Sequence, residues 1–370
     1  MSATTRIDLA HATPESTPAK PPRGWAKLLL RVAVSVGLCA FLLSRVDLAK
    51  MLNEMAHMRW ELWACGLAAH LFSQIASAVR WSGLAVSLGF RAPRWSCVRW
   101  YFEGMFFSLC LPSSIGGDLM RCYRLADTKN DGSSFRSRAM LAGCTVLADR
   151  VVGFLTLVSL GITAFSYETF SLSAPLALLM LAGTLSLAVL GLRIGASLLR
   201  HAPHWLARFP KLAGMADKLR PFGATPGVLE RALAWSVAVQ LLGMFTLAWV
   251  GMAMGLAVPV PAYFVAVAII STLTMLPLSI NGVGIREGGL TVLLAAHGVS
   301  SEDGITLGLL WFLVIVVAGL MGGVVYLTRD KSADLAVSAS HETQAEPPRT
   351  SLAKGPTQTA GRTNRVRTGR

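Results

Sequence analysis

Charged side chains within long apolar stretches are the residues of this sequence best suited to bind a ligand. They form three pairs, namely Asp118 with Arg121, Asp149 with Arg150, and Arg286 with Glu287. An ionised group at membrane depth is costly, so it usually faces the interior of a helix bundle or a wet cavity. The planar guanidinium of arginine binds phosphate oxygens bidentately and keeps its charge in a low dielectric. The arginines therefore predict a site for an anionic group, in which the carboxylates balance charge or couple protons.

A repeated motif carries two of these pairs. Residues 111–121 read LPSSIGGDLMR and residues 276–286 read LPLSINGVGIR, so the framework L-P-x-S-I-x-G-x-x-x-R occurs twice. Proline and glycines break an apolar stretch in each copy, and the helix that follows directs its N-terminal dipole at an anion. The residues predicted to bind the substrate are Arg121, Arg286, Ser113, Ser114, Gly116, Gly117, Ser279, Asn281, Gly282 and Gly284.

The charged residues also admit a purely structural interpretation. Asp118 with Arg121, and Asp149 with Arg150 or another neighbour, would then be ion pairs that tie the broken segments to the bundle. Arg121 would equally suit a cytoplasmic anchor, because basic residues concentrate on that side of a membrane. The clustering of the whole set at both breaks favours the cavity interpretation.

Arg80 and Trp81 stand near the predicted cytoplasmic end of an apolar stretch. A basic and an aromatic side chain at that depth are typical of residues held at the lipid headgroups. We therefore predict that they are interface anchors first and substrate contacts second.

The composition excludes a soluble globular protein. Of the 370 residues, 53% are hydrophobic and 15% are charged, and the mean hydropathy is +0.54. The formal net charge of +14 lies mainly in predicted cytoplasmic loops and the tail, so a positive-inside bias explains it better than nucleic acid binding. The six cysteines lack metal-ligand spacing, and no Walker A, HExxH or Gly-x-Ser-x-Gly motif occurs. We expect no cofactor, no metal and no enzymatic activity.

Eight apolar stretches define the predicted architecture. Six of them are predicted full spans, at 27–44, 61–88, 139–167, 174–198, 231–255 and 305–328. The other two, at 99–122 and 262–297, contain the repeated motif. Basic residues flank the first on both sides, whereas neutral and acidic loops flank the second. The sequence thus predicts an all-α polytopic membrane protein with six full transmembrane helices. Two oppositely oriented re-entrant broken-helix hairpins complete an inverted-repeat, transporter-like arrangement.

The ends of the chain differ from this membrane region. Residues 1–24 are predicted to be a disordered cytoplasmic leader and residues 329–370 a disordered basic cytoplasmic tail, on either side of a membrane domain at 25–328. The segment 200–220 suits either an interfacial amphipathic helix or a basic cytoplasmic loop.

Together the motifs resemble a known family. The segments LPSSIGGDLMRCYR at 111–124, VLADRVVG at 146–153 and LPLSINGVGIREG at 276–288 are similar to signature segments of the flippase-like, lysylphosphatidylglycerol synthase transmembrane-domain family. Arg80 and Trp81 also fit. The resemblance implies a bacterial inner-membrane protein that handles an aminoacyl-phospholipid, a polyprenyl-linked or a hopanoid-type lipid. Synthases of that family carry a large soluble domain after the membrane part, whereas a short tail follows here, so no synthase activity is expected.

Two hypotheses of function follow. The first is a flippase-like protein that translocates or handles an anionic lipid or lipid-linked amphiphile. The second is a non-transporting membrane partner that presents lipid to a separate glycosyltransferase or acyltransferase. The sequence makes no prediction of an oligomeric state.

Overall fold

The helices of this protein occupy nearly all of the part that the structure describes. The structure is a computed structural model, and it describes residues 56–110, 116–129, 131–200, 227–276 and 282–328. These residues form nine α-helices and no strand, which confirms the predicted all-α class within them. The helices are Trp60–Ser87 (α1), Arg94–Cys110 (α2), Gly116–Asp127 (α3), Phe135–Phe170 (α4), Ala174–Arg200 (α5), Val228–Ala253 (α6), Val260–Met275 (α7), Ile285–Leu294 (α8) and Ser301–Leu327 (α9).

Five helices are long and apolar enough to cross a membrane. These are α1, α4, α5 as far as Gly195, α6 and α9. They coincide with five of the predicted spans, so the chain is a multi-pass membrane protein. The predicted span at 27–44 lies outside the described residues, as do the leader, the tail and nearly all of the segment 200–220.

The two segments with the repeated motif each divide into a pair of short helices. In the first pair, α3 folds back along α2, because Gly117 meets the carbonyl of Gly104 at a distance that leaves no room for a Cβ. The chain then returns to where α2 began, and Lys129 Nζ lies 5.3 Å from the centroid of the Phe90 ring.

The second pair has the same form. Positive φ angles of 73° at Gly282 and 84° at Gly284 turn the chain into α8. A Cβ on Gly282 would lie 2.5 Å from Thr274 Cγ2, and a Cβ on Gly289 would lie 3.0 Å from Ile270 Cγ1. The later glycine contacts the earlier residue of α7, so α8 folds back on α7.

The helix order and packing repeat across the two halves. Cys110, which ends α2, and Met275, which ends α7, are separated by the same number of residues as Arg121 and Arg286. Equivalent helices also make equivalent contacts. In the first half α2 packs on α9 and α3 packs on α4, and in the second half α7 packs on α4 and α8 packs on α9. Among the described helices, α1 and α6 share the most extensive contact.

The first helices of the two halves run in opposite directions. The amide of Arg59, just before α1, donates to the carbonyl of Ala253 at the end of α6, at 2.9 Å. Near the middle of both helices, Ser73 Oγ donates to the carbonyl of Val239 at 3.1 Å. Close approach is possible because Gly66 has no side chain, and a Cβ there would lie 3.2 Å from the carbonyl oxygen of Thr246.

Glycines also bring α9 close to α2. Gly322 faces the backbone carbonyl of Phe102, and a Cβ on Gly323 would lie 2.8 Å from Phe106 Cδ2. The first broken pair is therefore held between α9 on one side and α4 on the other.

Candidate functional site

A large cavity lies where the broken helices meet the long ones. Its volume is about 700 Å³, and α1, α2, α3, α4, α6, α7 and α9 all contribute to its wall. Both breaks open onto it, since Leu109 near the end of α2, Gly117 at the start of α3 and Met275 at the end of α7 line it. The cavity therefore collects residues from both halves of the chain.

One side of this cavity carries a charged cluster of five residues, which are Arg80, Arg121, Arg150, Asp118 and Asp149. Arg80 Nε donates to Asp149 Oδ1 at 2.8 Å, and Arg121 Nη1 lies 3.7 Å from Asp149 Oδ2. Arg121 Nη2 donates to Asp118 Oδ1. Arg150 donates to Asp118 Oδ2 from Nε at 3.1 Å and from Nη2 at 2.8 Å. Each aspartate is thus shared by two arginines.

The cluster is mostly buried and is not electrically balanced. Arg80, Arg121 and Asp149 are exposed by 6%, 4% and 2% respectively, whereas the side chain of Arg150 is 46% exposed. Three arginines against two aspartates leave one excess positive charge. Nη1 of Arg121 is buried and makes no hydrogen bond within the described part of the chain. A single anionic group would neutralise the excess and accept from this donor.

The first repeated motif explains how Arg121 reaches the cavity. Gly117 lets α3 begin directly against α2, and Arg121 follows one turn later on the face that carries Asp118. The guanidinium carbon of Arg121 lies 4.4 Å from the centroid of the Tyr101 ring and 5.3 Å from that of Trp81. These rings fix the guanidinium in place through cation–π contact.

Arg80 and Trp81 are buried inside the helix bundle. Trp81 is fully buried, and its Nε1 donates to Thr145 Oγ1 at 2.9 Å. Arg80 Nη1 also donates to Ser236 Oγ at 2.7 Å. The interface-anchor interpretation is therefore corrected, because an anchor must reach the lipid headgroups and these side chains point into the bundle.

The second break differs from the first in where its charged residues lie. Among the described residues that line the cavity, Arg286 and Glu287 are absent. The guanidinium carbon of Arg286 lies 5.1 Å from the centroid of the Trp311 ring, and Trp311 does line the cavity. Glu287 Oε2 accepts from the amide of Gly284 at 2.5 Å and caps the start of α8. Arg121 and Arg286 therefore do not share one wall.

The remaining residues of the predicted binding set fall into two groups. Gly116 begins α3, and Gly282 and Gly284 form the turn before α8. Outside the described residues lie Ser113, Ser114, Ser279 and Asn281. A ligand contact by any of these residues stays a prediction.

A set of neutral polar residues adjoins the charged cluster in the cavity lining and was missed as a feature of the site. This neutral wall consists of His70, Gln74, Ser77, Gln240 and Ser271. Gln240 Nε2 donates to the carbonyl of Gly153 at 2.9 Å, and Gln74 Nε2 lies 3.4 Å from His70 Nε2. A signal was present, because the polar residues of α1 recur at helical spacing and end at Arg80.

A second, apolar cavity lies between α4 and α7. It has a volume of about 340 Å³, and Val158, Phe165 and Leu273 are among the residues that line it. Its one hydroxyl, on Thr272, donates to the carbonyl of Ala268 at 2.7 Å. The neighbours of Val158 and Thr272 line the charged cavity, so the contact between α4 and α7 separates a polar space from an apolar one.

Comparison with known proteins assigns the chain to a family. No curated protein matches it. A model of the family described as the lysylphosphatidylglycerol synthase TM region matches residues 28–323, which contain the whole charged cluster and both breaks. This match confirms the resemblance seen in the motifs. The chain therefore belongs to the lysylphosphatidylglycerol synthase transmembrane-region family.

Proposed function

We propose that the protein is a flippase-like membrane protein that translocates or handles an anionic lipid or lipid-linked amphiphile. The observation that carries this proposal is the cavity, which holds one excess positive charge inside a bundle of apolar helices. Buried charge without compensation is unfavourable, and it marks a ligand or ion pathway in membrane proteins. Family membership supports a role in lipid handling.

The amphiphile is favoured over a small soluble anion because polar and apolar spaces adjoin. The charged cavity suits a headgroup, and the cavity between α4 and α7 offers only hydrocarbon contacts. A lipid has both parts in one molecule. Leu157 lines the charged cavity, and its neighbour Val158 lines the apolar one. The headgroup and the acyl chain of one lipid could therefore occupy the two cavities on either side of the contact between α4 and α7.

We further propose that the two broken pairs are re-entrant hairpins that enter from opposite faces of a bacterial inner membrane, with both termini in the cytoplasm. Helices α2 and α7 have 17 and 16 residues, whereas a full crossing needs about 20. The antiparallel α1 and α6, together with the equal spacing of the two halves, support an inverted repeat. In such repeats, one half moves against the other around a site near the midplane.

Reconstitution of the full chain in vesicles tests the transport proposal. The readout is the loss of a fluorescent headgroup signal from the outer leaflet after a membrane-impermeant quencher is added. Arg121→Ala should slow translocation about tenfold or more, since a charged hydrogen bond contributes about 1.5–3 kcal/mol. Arg121→Lys keeps the charge but loses the planar fork, so its rate should fall between those of Arg121→Ala and the wild type.

Arg193→Ala is the matched control. Arg193 also forms an ion pair, with Glu230, but its side chain is 61% exposed and is not among the residues that line the cavity. A wild-type rate in a correctly folded Arg121→Ala protein contradicts the proposal. A wild-type protein that retains lipid but translocates none would instead support the presentation of lipid to a separate enzyme. The proposal also expects that the purified chain forms no new lipid product from supplied precursors.

A further inference from the structure

The acidic residues of the charged cavity are already committed to arginines. Among the described residues, Asp118 and Asp149 are the two carboxylates that line it. Asp118 accepts from Arg121 and Arg150, and Asp149 pairs with Arg80 and Arg121. A cationic group on a ligand would meet carboxylates that are each already shared by two arginines.

Two further acids on the described helices that line or adjoin the cavity, Glu103 and Glu287, make contacts of their own. Glu103 is buried, and its Oε2 lies 3.1 Å from Arg124 Nη2. Glu287 caps α8 and is not among the residues that line the cavity. The segments at the two breaks, 111–115 and 277–281, contain no aspartate or glutamate in the sequence. Neither break can therefore supply a free carboxylate.

Three aromatic residues of the described part line the cavity, namely Tyr101, Phe154 and Trp311, and two of these rings already face an arginine. The guanidinium of Arg121 lies over the Tyr101 ring, and that of Arg286 lies over the Trp311 ring. A ligand ammonium at these faces would lie beside an arginine. Placing like charges together costs several kcal/mol in a desolvated site.

The neutral wall completes the chemistry. His70, Gln74, Ser77 and Ser271 present hydroxyl, amide and imidazole groups that form hydrogen bonds with hydroxyls and do not supply a compensating negative charge. The cavity thus combines one uncompensated positive charge with neutral hydrogen-bonding groups.

We infer that the lipid bound by this chain has a phosphate-type anionic headgroup whose remaining polar groups are hydroxyls, and that a headgroup with a free amine is rejected. The inference rests on the proposed function. It separates this chain from the aminoacylated lipid in the name of its family.

Competitive lipid binding tests the inference without requiring transport. The full-length protein is incubated with equal amounts of phosphatidylglycerol and lysyl-phosphatidylglycerol of the same acyl chains, and bound lipid is counted by native mass spectrometry. Phosphatidylglycerol should be retained at least about tenfold more, because the amine meets an excess positive charge. Equal retention, preference for the lysyl lipid, or no preference for phosphatidylglycerol over phosphatidylcholine overturns the inference. Selective binding without translocation would contradict only the transport proposal.

A charge-reversal variant gives a second readout. Arg150 is the most exposed member of the cluster, so Arg150→Glu is the substitution best tolerated there. It changes the sum of the cluster from one positive to one negative charge, and it should shift selectivity toward the lysyl lipid by about tenfold or more. Arg193→Glu, which alters an exposed pair outside the cavity, should leave selectivity unchanged. Unaltered selectivity in folded Arg150→Glu contradicts the inference.

Discussion

Asp149 connects Arg80 to Arg121 in the charged cluster. Its Oδ1 accepts from Arg80 of α1, and its Oδ2 faces Arg121 of α3, while Asp149 itself belongs to α4. One carboxylate thus compensates two buried arginines from two other helices. Its removal leaves both guanidinium groups without that partner.

Asp149→Asn should therefore destabilise the protein by about 3–5 kcal/mol, the usual cost of removing one partner from a buried ion pair. Thermal unfolding in detergent measures the loss. Asp118→Asn is the matched control, because the side chain of Asp118 is 21% exposed and its loss is more easily hydrated. Equal destabilisation by the two substitutions would contradict the bridging role assigned to Asp149.

Most members of the cluster could be predicted from the sequence. Asp118, Arg121, Asp149 and Arg150 are charged residues within apolar segments, and the cost of burying them makes them conspicuous. Arg80 was misinterpreted because a basic residue near the end of a span usually marks the cytoplasmic face. Its partners, Asp149 and Ser236, are far away in the sequence, and only the folded chain brings them to it.

At the scale of elements, the contact between α2 and α9 holds the first broken pair in position. It depends on glycines that let the helices approach until backbone meets backbone, as Gly322 does with the carbonyl of Phe102. Such close approach is a common means of association between membrane helices.

Gly322→Ala should destabilise the protein by about 1–3 kcal/mol, because the added methyl overlaps a backbone carbonyl that cannot rotate away. Gly183→Ala is the control, since a Cβ there meets no described atom within 4 Å. Alanine favours helix by up to about 1 kcal/mol over glycine, so the control should be neutral or slightly stabilising. A similar unfolding temperature for both variants would show that the α2–α9 contact has room to relax.

Helix positions were predictable to within a few residues, and the differences have local causes. The predicted span 61–88 appears as Trp60–Ser87. The span predicted at 139–167 begins earlier, at Phe135, because the amide of Ser137 donates to Ser134 Oγ and this cap starts the helix in a polar segment. Hydropathy does not detect such a polar first turn.

At the scale of the whole molecule, the repeat relates positions on opposite ends of the bundle. Asp131 lies in the exposed loop after α3, and Ala296 lies in the short turn after α8. They are separated by the same number of residues as Arg121 and Arg286, so they are equivalent positions of the repeat. If the hairpins enter from opposite faces, these equivalent positions lie on opposite sides of the membrane.

In a variant without native cysteines, Asp131→Cys should react with a membrane-impermeant maleimide from the cytoplasmic side, and Ala296→Cys from the outer side. Right-side-out and inside-out vesicles separate the two cases. Detergent-solubilised protein, in which both sites are accessible, controls for reactivity. Labelling of both positions from the same side would contradict the inverted arrangement.

The sequence alone predicted the two halves of the chain, but it did not predict that their arginines would have different surroundings. The repeated motif predicted equivalent roles for Arg121 and Arg286. In the structure Arg121 lines the cavity, whereas Arg286 does not. Val283, not an acid, occupies the position equivalent to Asp118, and the guanidinium of Arg286 faces the Trp311 ring. The two copies of the motif share the backbone break, and the surroundings of the arginine differ between them.

The single excess charge of the charged cluster also bears on how the protein responds to a membrane potential. If the protein translocates lipid as proposed and the cluster moves with its cargo, a singly charged anionic headgroup brings the sum of cluster and ligand to zero. A rearrangement of the loaded protein would then carry no net charge through the field. The empty cavity carries one positive charge, and a full elementary charge that crosses the membrane changes energy by about 2.3 kcal/mol per 100 mV. The membrane potential would then change the rate at which the empty protein reorients. It would not change the rate at which one bound lipid is exchanged for another across the membrane.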